Sequence, residues 1–208
     1  WLRTQSNSFV LPLPSLQSRA RSNPIDGSVV AWQRTLLAKG GSLLERKHLR
    51  FQARTETFTR FHCIVLDTSG SMRQGGRLAL AKGFAARLIE EVSRAGDDIA
   101  LLIFGGRGVE LLIPPGPARS SAIMRVRQCG GGGGTPLAQA LAVTQGLLIK
   151  SQSAAVWLLT DGRTLEQPPA VQGAAHTIIV DFDDPKRGLG RCAALAKRWG
   201  AEYRLAPF

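Results

Sequence analysis

The sequence predicts an α/β domain of three layers, with a mainly parallel sheet covered by helices on both faces. Three observations carry that expectation. Short apolar runs alternate with helix-length segments over residues 61–208. The run Phe61–Asp67 is mostly apolar and ends in turn residues, as suits a strand buried on both faces. Leu80, Phe84, Leu88 and Val92 recur four apart beside Ala81, Ala85 and Ile89, which makes one apolar stripe on a helix. Strands joined through helices favour right-handed crossovers and hence parallel pairing.

Residues 1–24 mix Ser, Pro, Asn, Gln and Arg without a period and read as a linker or surface-hugging arm. Weak helical periodicity marks Val29–Leu37, and Leu49–Thr59 reads as extended. The whole leader, residues 1–60, is expected to be a basic arm partly packed on a domain of residues 61–208. Within that domain the first strand leads to a helix over Leu78–Arg94, a strand at Ile99–Phe104, a short neighbouring strand at Val109–Ile113 and a modest helix over Arg119–Gln128. Helix Pro136–Lys150, strands Ala155–Asp161 and Ala175–Asp181, helix Leu189–Trp199 and a last short strand Glu202–Leu205 complete it. There is no internal repeat.

Length and composition agree with one sizeable core: 208 residues, 44% of them hydrophobic. Twenty-seven Lys and Arg against fifteen Asp and Glu give a net charge of +12, which points to an anionic partner. The leader alone carries ten basic and three acidic side chains, against seventeen and twelve in residues 61–208. Cys63, Cys129 and Cys192 are odd in number and widely spaced, with neither a disulfide framework nor a zinc spacing, so a reducing cytoplasm is the expected setting. No apolar run approaches the roughly 20 residues of a membrane-spanning helix, and there is no signal-peptide pattern. Because the first residue is Trp1 rather than Met, the sequence is expected to be part of a longer protein.

In open α/β sheets, ligands bind beyond the carboxyl ends of the strands. Asp67-Thr68-Ser69-Gly70-Ser71 stands at the end of the first strand, Asp161 closes the run AVWLLT, and Thr135 follows the glycines 130–134 and precedes a helix. Three loops thus offer two carboxylates and three hydroxyls to one edge of the sheet. An all-oxygen set with few carboxylates suits a hard cation such as Mg2+, with Mn2+ the alternative, whereas zinc would favour His or Cys and the three histidines do not cluster in sequence. Two formal negative charges would nearly neutralise the cation and leave a position for a carboxylate from another molecule. Each piece also has an ordinary explanation. Asp67 with Ser69 fits a capped turn, Thr135-Pro136 an N-cap, and Asp161-Gly162 a turn pair. The conjunction, in this order and context, favours the metal.

Asp67, Ser69, Ser71, Thr135 and Asp161 resemble the metal-ion-dependent adhesion site (MIDAS) of von Willebrand factor A (vWA, integrin I-like) domains, without departure from the motif. The resemblance implies a Rossmann-like fold and a partner Glu or Asp that completes the shell. A narrower resemblance joins VLDTSGSM (65–72), ALLIFGGRGVELLIPP (100–115), GGGTPLAQAL (132–141), LLTDGR (158–163) and LAKRWGAEYRLAP (195–207) to the C-terminal domain of the magnesium-chelatase D subunit and its cobalt-chelatase relatives. It implies a non-catalytic interaction domain in tetrapyrrole biosynthesis, working with an AAA+ ATPase subunit and a large chelatase subunit. An AAA+-like domain and an acidic linker precede this domain in that family, and neither lies in residues 1–208.

No phosphate-loop Gly-x-x-x-x-Gly-Lys-Ser/Thr is present, and the glycines 130–134 lack the required Lys, so ATPase activity is not expected. Those glycines read as a flexible approach that lets Thr135 reach the metal, or as a plain loop. Arg73, Arg77, Arg107 and Arg163 lie in or near the same loops and read either as solvated side chains or as contacts for an acidic partner segment. Two other functions compete: a vWA interaction domain outside the chelatase pathway, and a nucleic-acid-binding module built on the basic leader. The second would need aromatic side chains interleaved with basic ones, and Trp1, Trp32, Phe51, Phe58 and Phe61 are only loosely interspersed. A Mg2+-dependent phosphate enzyme is disfavoured because no general base stands near the site.

Overall fold

A computed structural model describes residues 30–51, 59–149, 153–184 and 188–206. The arm expected over residues 1–24 lies outside the described residues, as does most of the extended segment expected over Leu49–Thr59. The chain divides into two compact units, Gln17–Phe58 and the remainder. In the first, helix α1 (Trp32–Lys39) precedes a 3-10 turn at Arg46–His48. Val30 bridges Phe51, and Thr35 Oγ1 accepts the Arg50 N–H at 2.9 Å, so the helix is tied to the strand-like segment after it.

The second unit is built on six strands: β1 (Phe61–Asp67), β2 (Asp98–Gly105), β3 (Gly108–Pro117), β4 (Ala154–Thr160), β5 (His176–Asp181) and β6 (Glu202–Leu205). Their order across the sheet is β3-β2-β1-β4-β5-β6, and every pairing is parallel except the β2–β3 hairpin. The helices are α2 (Gly70–Arg73), α3 (Arg77–Ala95), α4 (Ala122–Gln128), α5 (Leu137–Leu148) and α6 (Arg191–Trp199). The expected α/β, three-layer, mainly parallel architecture is therefore present.

Strand alternation sorts the core into two layers. Ile64 and Leu66 of β1 face a cluster with Phe84, Leu88, Ile89 and Val92 of α3 and Ile123 and Val126 of α4. Phe61, Cys63 and Val65 face the opposite cluster, with Leu137, Ala140 and Leu141 of α5 and Leu195 and Ala196 of α6. All seven residues of β1 and of β4 are buried, which accounts for their unbroken apolar character. Trp157 is wholly buried, and Phe84 joins it to Phe182 through ring contacts at 6.4 and 6.0 Å.

β3 runs ten residues, twice the expected five, and includes Pro114 and Pro115. Proline is tolerated there because β3 is an edge strand and one side of its backbone needs no ladder partner. α4 begins at Ala122, three residues later than expected, and α6 at Arg191, after Gly190 in the left-handed region at φ 63°.

Candidate metal centre

The chain leaves β1 toward β2 on one side and later returns to place β4 on the other. That reversal opens a crevice at the carboxyl ends of β1 and β4, where open α/β sheets bind ligands. Asp67 ends β1, and Thr160-Asp161 ends β4. Leu66 registers with Leu159, so Asp67 and Thr160 follow side by side.

Asp67 is fully buried and held at both oxygens: Oδ1 accepts the Ser69 N–H at 2.8 Å and Oδ2 the Thr160 hydroxyl at 2.6 Å. Burial pushes its carboxyl above the ordinary range, hydrogen bonds from Thr160 and Ser69 oppose the shift, and the Asp161 charge adds to it. A carboxylate with that much desolvation gains from a nearby cation. Ser69 Oγ lies 3.2 Å from Ser71 Oγ, which donates to Asp161 Oδ1 at 3.1 Å. Adjacent ligands of an octahedral ion with bonds of 2.0–2.1 Å sit about 3 Å apart, so these oxygens have the spacing of neighbouring Mg2+ ligands. Among the described residues no three His, Cys, Asp or Glu side chains gather as a metal site. Two carboxylates with hydroxyls beside them, and waters for the remainder of a shell, make a donor set that fits a hard cation.

Thr135 stands half-buried in the loop before α5. Its hydroxyl does not cap that helix: α5 starts at Leu137 without a side-chain cap, and Glu166 Oε2 accepts the Ala138 N–H at 2.7 Å. No hydrogen bond joins its hydroxyl to the other four candidates. What brings the loop to the site is backbone. Gly132 N–H donates to Thr68 O at 2.7 Å, Gly70 N–H to Gly133 O at 3.0 Å and Gly106 N–H to Gly132 O at 2.5 Å. A Cβ on Gly106 would collide with the Gly133 backbone, and one on Gly133 with Gly106. The glycines thus permit a close three-loop junction, a packing role that the reading as a flexible approach or plain loop did not include.

Two residues absent from the expected set shape the site. Thr160 ties Asp67 to β4, and its Oγ1 also accepts the Gly162 N–H at 3.0 Å. Asp183, beyond β5, pairs with Arg77 at 3.3 Å and Arg163 at 3.0 Å. Arg77 also reaches Asp161 Oδ2 at 3.4 Å, and Arg163 Nε lies 3.9 Å from the same oxygen. Both guanidinium groups are therefore shared between Asp161 and Asp183. Burial raises the Asp183 carboxyl, but hydrogen bonds from the Leu189 N–H, Arg163 and the Asp184 N–H outweigh it and hold the group below its ordinary value. Thr160 reads in sequence as one more strand residue. Asp183 had a signal, an acidic run directly after the strand beside that of Asp161.

A family model of the von Willebrand factor type A domain matches residues 63–163, from β1 through the Asp161 loop. The chain carries a von Willebrand factor type A domain. It is 36% identical over 186 residues to the magnesium-chelatase 60 kDa subunit of Cereibacter sphaeroides, an alignment that covers 79% of this chain and 33% of that one. The vWA domain is thus related to magnesium-chelatase subunits, and the chain spans about a third of that relative's length. Among solved structures, a von Willebrand factor type A protein from Catenulispora acidiphila aligns with TM-score 0.57 and 19% identity over 77% of this chain and 40% of its own. The manganese-loaded TRAP protein of Plasmodium vivax aligns with TM-score 0.55 and 17% identity over 72% of this chain and 68% of its own. These two likenesses bear on the fold of the vWA domain alone.

The three described cysteines are free and buried. Burial pushes Cys63 up to about 12 and raises Cys129 and Cys192, so none offers a ready thiolate. Among the described residues no helix is long and apolar enough to cross a membrane.

Proposed function

We propose that this vWA domain is a non-catalytic, metal-dependent interaction domain of a cytoplasmic tetrapyrrole chelatase, in the magnesium or cobalt branch. Asp67, Ser69, Ser71, Thr135 and Asp161 would hold Mg2+ or Mn2+, which when bound supplies a Lewis-acidic position for an acidic side chain of the partner. The partner is an acidic segment of an AAA+ ATPase subunit, a large chelatase subunit, or both. The observation that carries the reading is the run of oxygens from Ser69 through Ser71 to Asp161, at 3.2 and 3.1 Å, in the crevice between β1 and β4. Relatedness to magnesium-chelatase subunits supports the pathway.

The protein's own residues do three things. Thr160 and the Ser69 N–H fix the Asp67 carboxylate in one orientation. The glycine junction holds the Thr135 loop against Thr68 and Gly70. Asp183 takes up part of the charge of Arg77 and Arg163, so Asp161 does not carry those two guanidinium groups alone.

The test is capture of candidate chelatase subunits by the chain in Mg2+ and in EDTA, repeated with Asp67→Ala after circular dichroism confirms folding. Capture that needs both the metal and Asp67 is expected. Capture that survives both changes would mean that the metal site is not the grip.

A further inference from the structure

Two of the four arginines placed near the site by sequence, Arg77 and Arg163, are consumed by internal ion pairs. Arg73 is not. It is exposed at the end of α2, two residues past Ser71, and its one hydrogen bond is a long one, 3.4 Å, to Gly131 O. Beside it a groove between α3 and α4 is lined by Arg73, Ala79, Lys82, Gly83, Arg87 and Arg127 among others. Lys82 donates to Arg127 O and Cys129 O, which pins the end of α4 to α3 and fixes the groove's width. Arg87 and Arg127 are exposed and make no ion pair among the described residues. The one carboxylate on the rim, Glu90, is engaged by Arg94 at 3.8 Å.

Four basic groups against one carboxylate, Glu90, give this groove a net positive field among the described residues. Arg73, two residues past Ser71, belongs to the groove lining and links it along the chain to the Ser69–Ser71 loop. The lining has no aromatic side chain on which a base would stack, which disfavours a single-stranded nucleic acid.

We infer that the α3–α4 groove takes an Asp/Glu-rich stretch of the protein partner, in the same segment whose carboxylate reaches the metal site. The inference rests on the proposed function for that one carboxylate. The other acidic side chains meet Arg73, Arg87 and Arg127 and give the contact its direction away from the metal.

The experiment measures binding of a fluorescently labelled poly-glutamate peptide to the whole chain by anisotropy, in Mg2+ and in EDTA. Charge reversal at Arg87 and Arg127 together (R87E/R127E) is compared with the same change in charge at Lys197 and Arg198 (K197E/R198E), exposed on α6 against the opposite core layer. R87E/R127E is expected to weaken binding at least about tenfold, the control to leave it within about twofold, and calorimetric Mg2+ affinity to stay unchanged in both. Neutral R87Q/R127Q, expected to weaken binding less but in the same order, replaces the reversal if that variant misfolds. Equal loss in both pairs, or no loss in R87E/R127E, overturns the groove. So does a single-stranded oligonucleotide of equal charge that displaces the peptide from the groove at lower concentration. Loss in R87E/R127E with indifference to EDTA and to Asp67→Ala keeps the groove and removes the metal bridge.

Discussion

Arginines on the two sides of the Asp67–Ser71 loop have opposite fates. Toward β5, Arg77 is largely buried, with its side chain 13% exposed, and spans Asp161 and Asp183, while Arg163 reaches the same two carboxylates. Toward α4, Arg73, Arg87 and Arg127 are exposed and meet no carboxylate among the described residues. The first group is part of the architecture of the site, and the second is surface available to something else. Nearness in sequence to the metal motif does not separate them. The separation comes from Asp183, which the fold delivers from a different strand to face Arg77 and Arg163.

If that comparison is right, Arg77→Ala has the largest effect on stability. It leaves Asp161 and Asp183, at 0% and 5% side-chain exposure, with one guanidinium fewer. Removing one partner from a buried pair typically costs 3–5 kcal/mol, and because Arg163 still touches both carboxylates the expected loss is about 2–3 kcal/mol. Urea unfolding in EDTA measures it, and a loss under about 1 kcal/mol would place Arg77 with the surface set.

Asp183→Asn comes next and tests how charge is shared. Without that carboxylate, Arg77 and Arg163 have only Asp161 to neutralise them, and they compete directly with a cation. Calorimetric Mg2+ affinity is expected to fall about tenfold, equivalent to about 1.4 kcal/mol, with the fold retained. Unchanged affinity would show that Asp183 does not hold the arginines off Asp161.

The same variant carries a pH signature. The folded Asp183 carboxyl lies below its ordinary value of 3.8, so the unfolded state binds the proton more readily. Its contribution is full above the unfolded value and is lost as pH falls through the folded one. The stability gap between wild type and Asp183→Asn should therefore be flat above about pH 5 and close on acidification below about pH 4. A gap independent of pH would mean that the ion pairs do not depend on that charge.

What was legible in the sequence follows from local rules. β1 and α3 were readable because a doubly buried strand is an apolar run and an amphipathic helix has a period, and Leu78–Arg94 differs from the observed helix by one residue at each end. That these carboxylates and serines gather at one edge was legible because parallel topology brings such strand ends together, and Ser71 lies 3.1 Å from Asp161. β3 runs past the expected end at Ile113 through Pro114-Pro115, which is tolerated because β3 is an edge, a tertiary fact. The glycine junction was read as a flexible approach or a plain loop, since composition cannot reveal that Gly106 and Gly133 meet backbone to backbone. Thr160 and Asp183 were missed because their roles exist only across strands.

The smallest expected effect is at Arg87, and it sets the other end of the comparison. Its side chain is exposed on α3 and makes no ion pair among the described residues, so nothing in the folded chain is left unsatisfied when it is removed. Alanine is also a slightly better helix former than arginine, which offsets the loss of packing by the aliphatic stem. Arg87→Ala is therefore expected to change unfolding free energy by less than about 0.5 kcal/mol and to leave Mg2+ affinity unaltered. If it destabilised the chain as strongly as Arg77→Ala, Arg87 would have an internal role and the groove would be a structural seam. A neutral result, set beside a weakened poly-glutamate contact in R87E/R127E, would assign the basic rim to recognition and the Arg77–Asp183 side to holding the site.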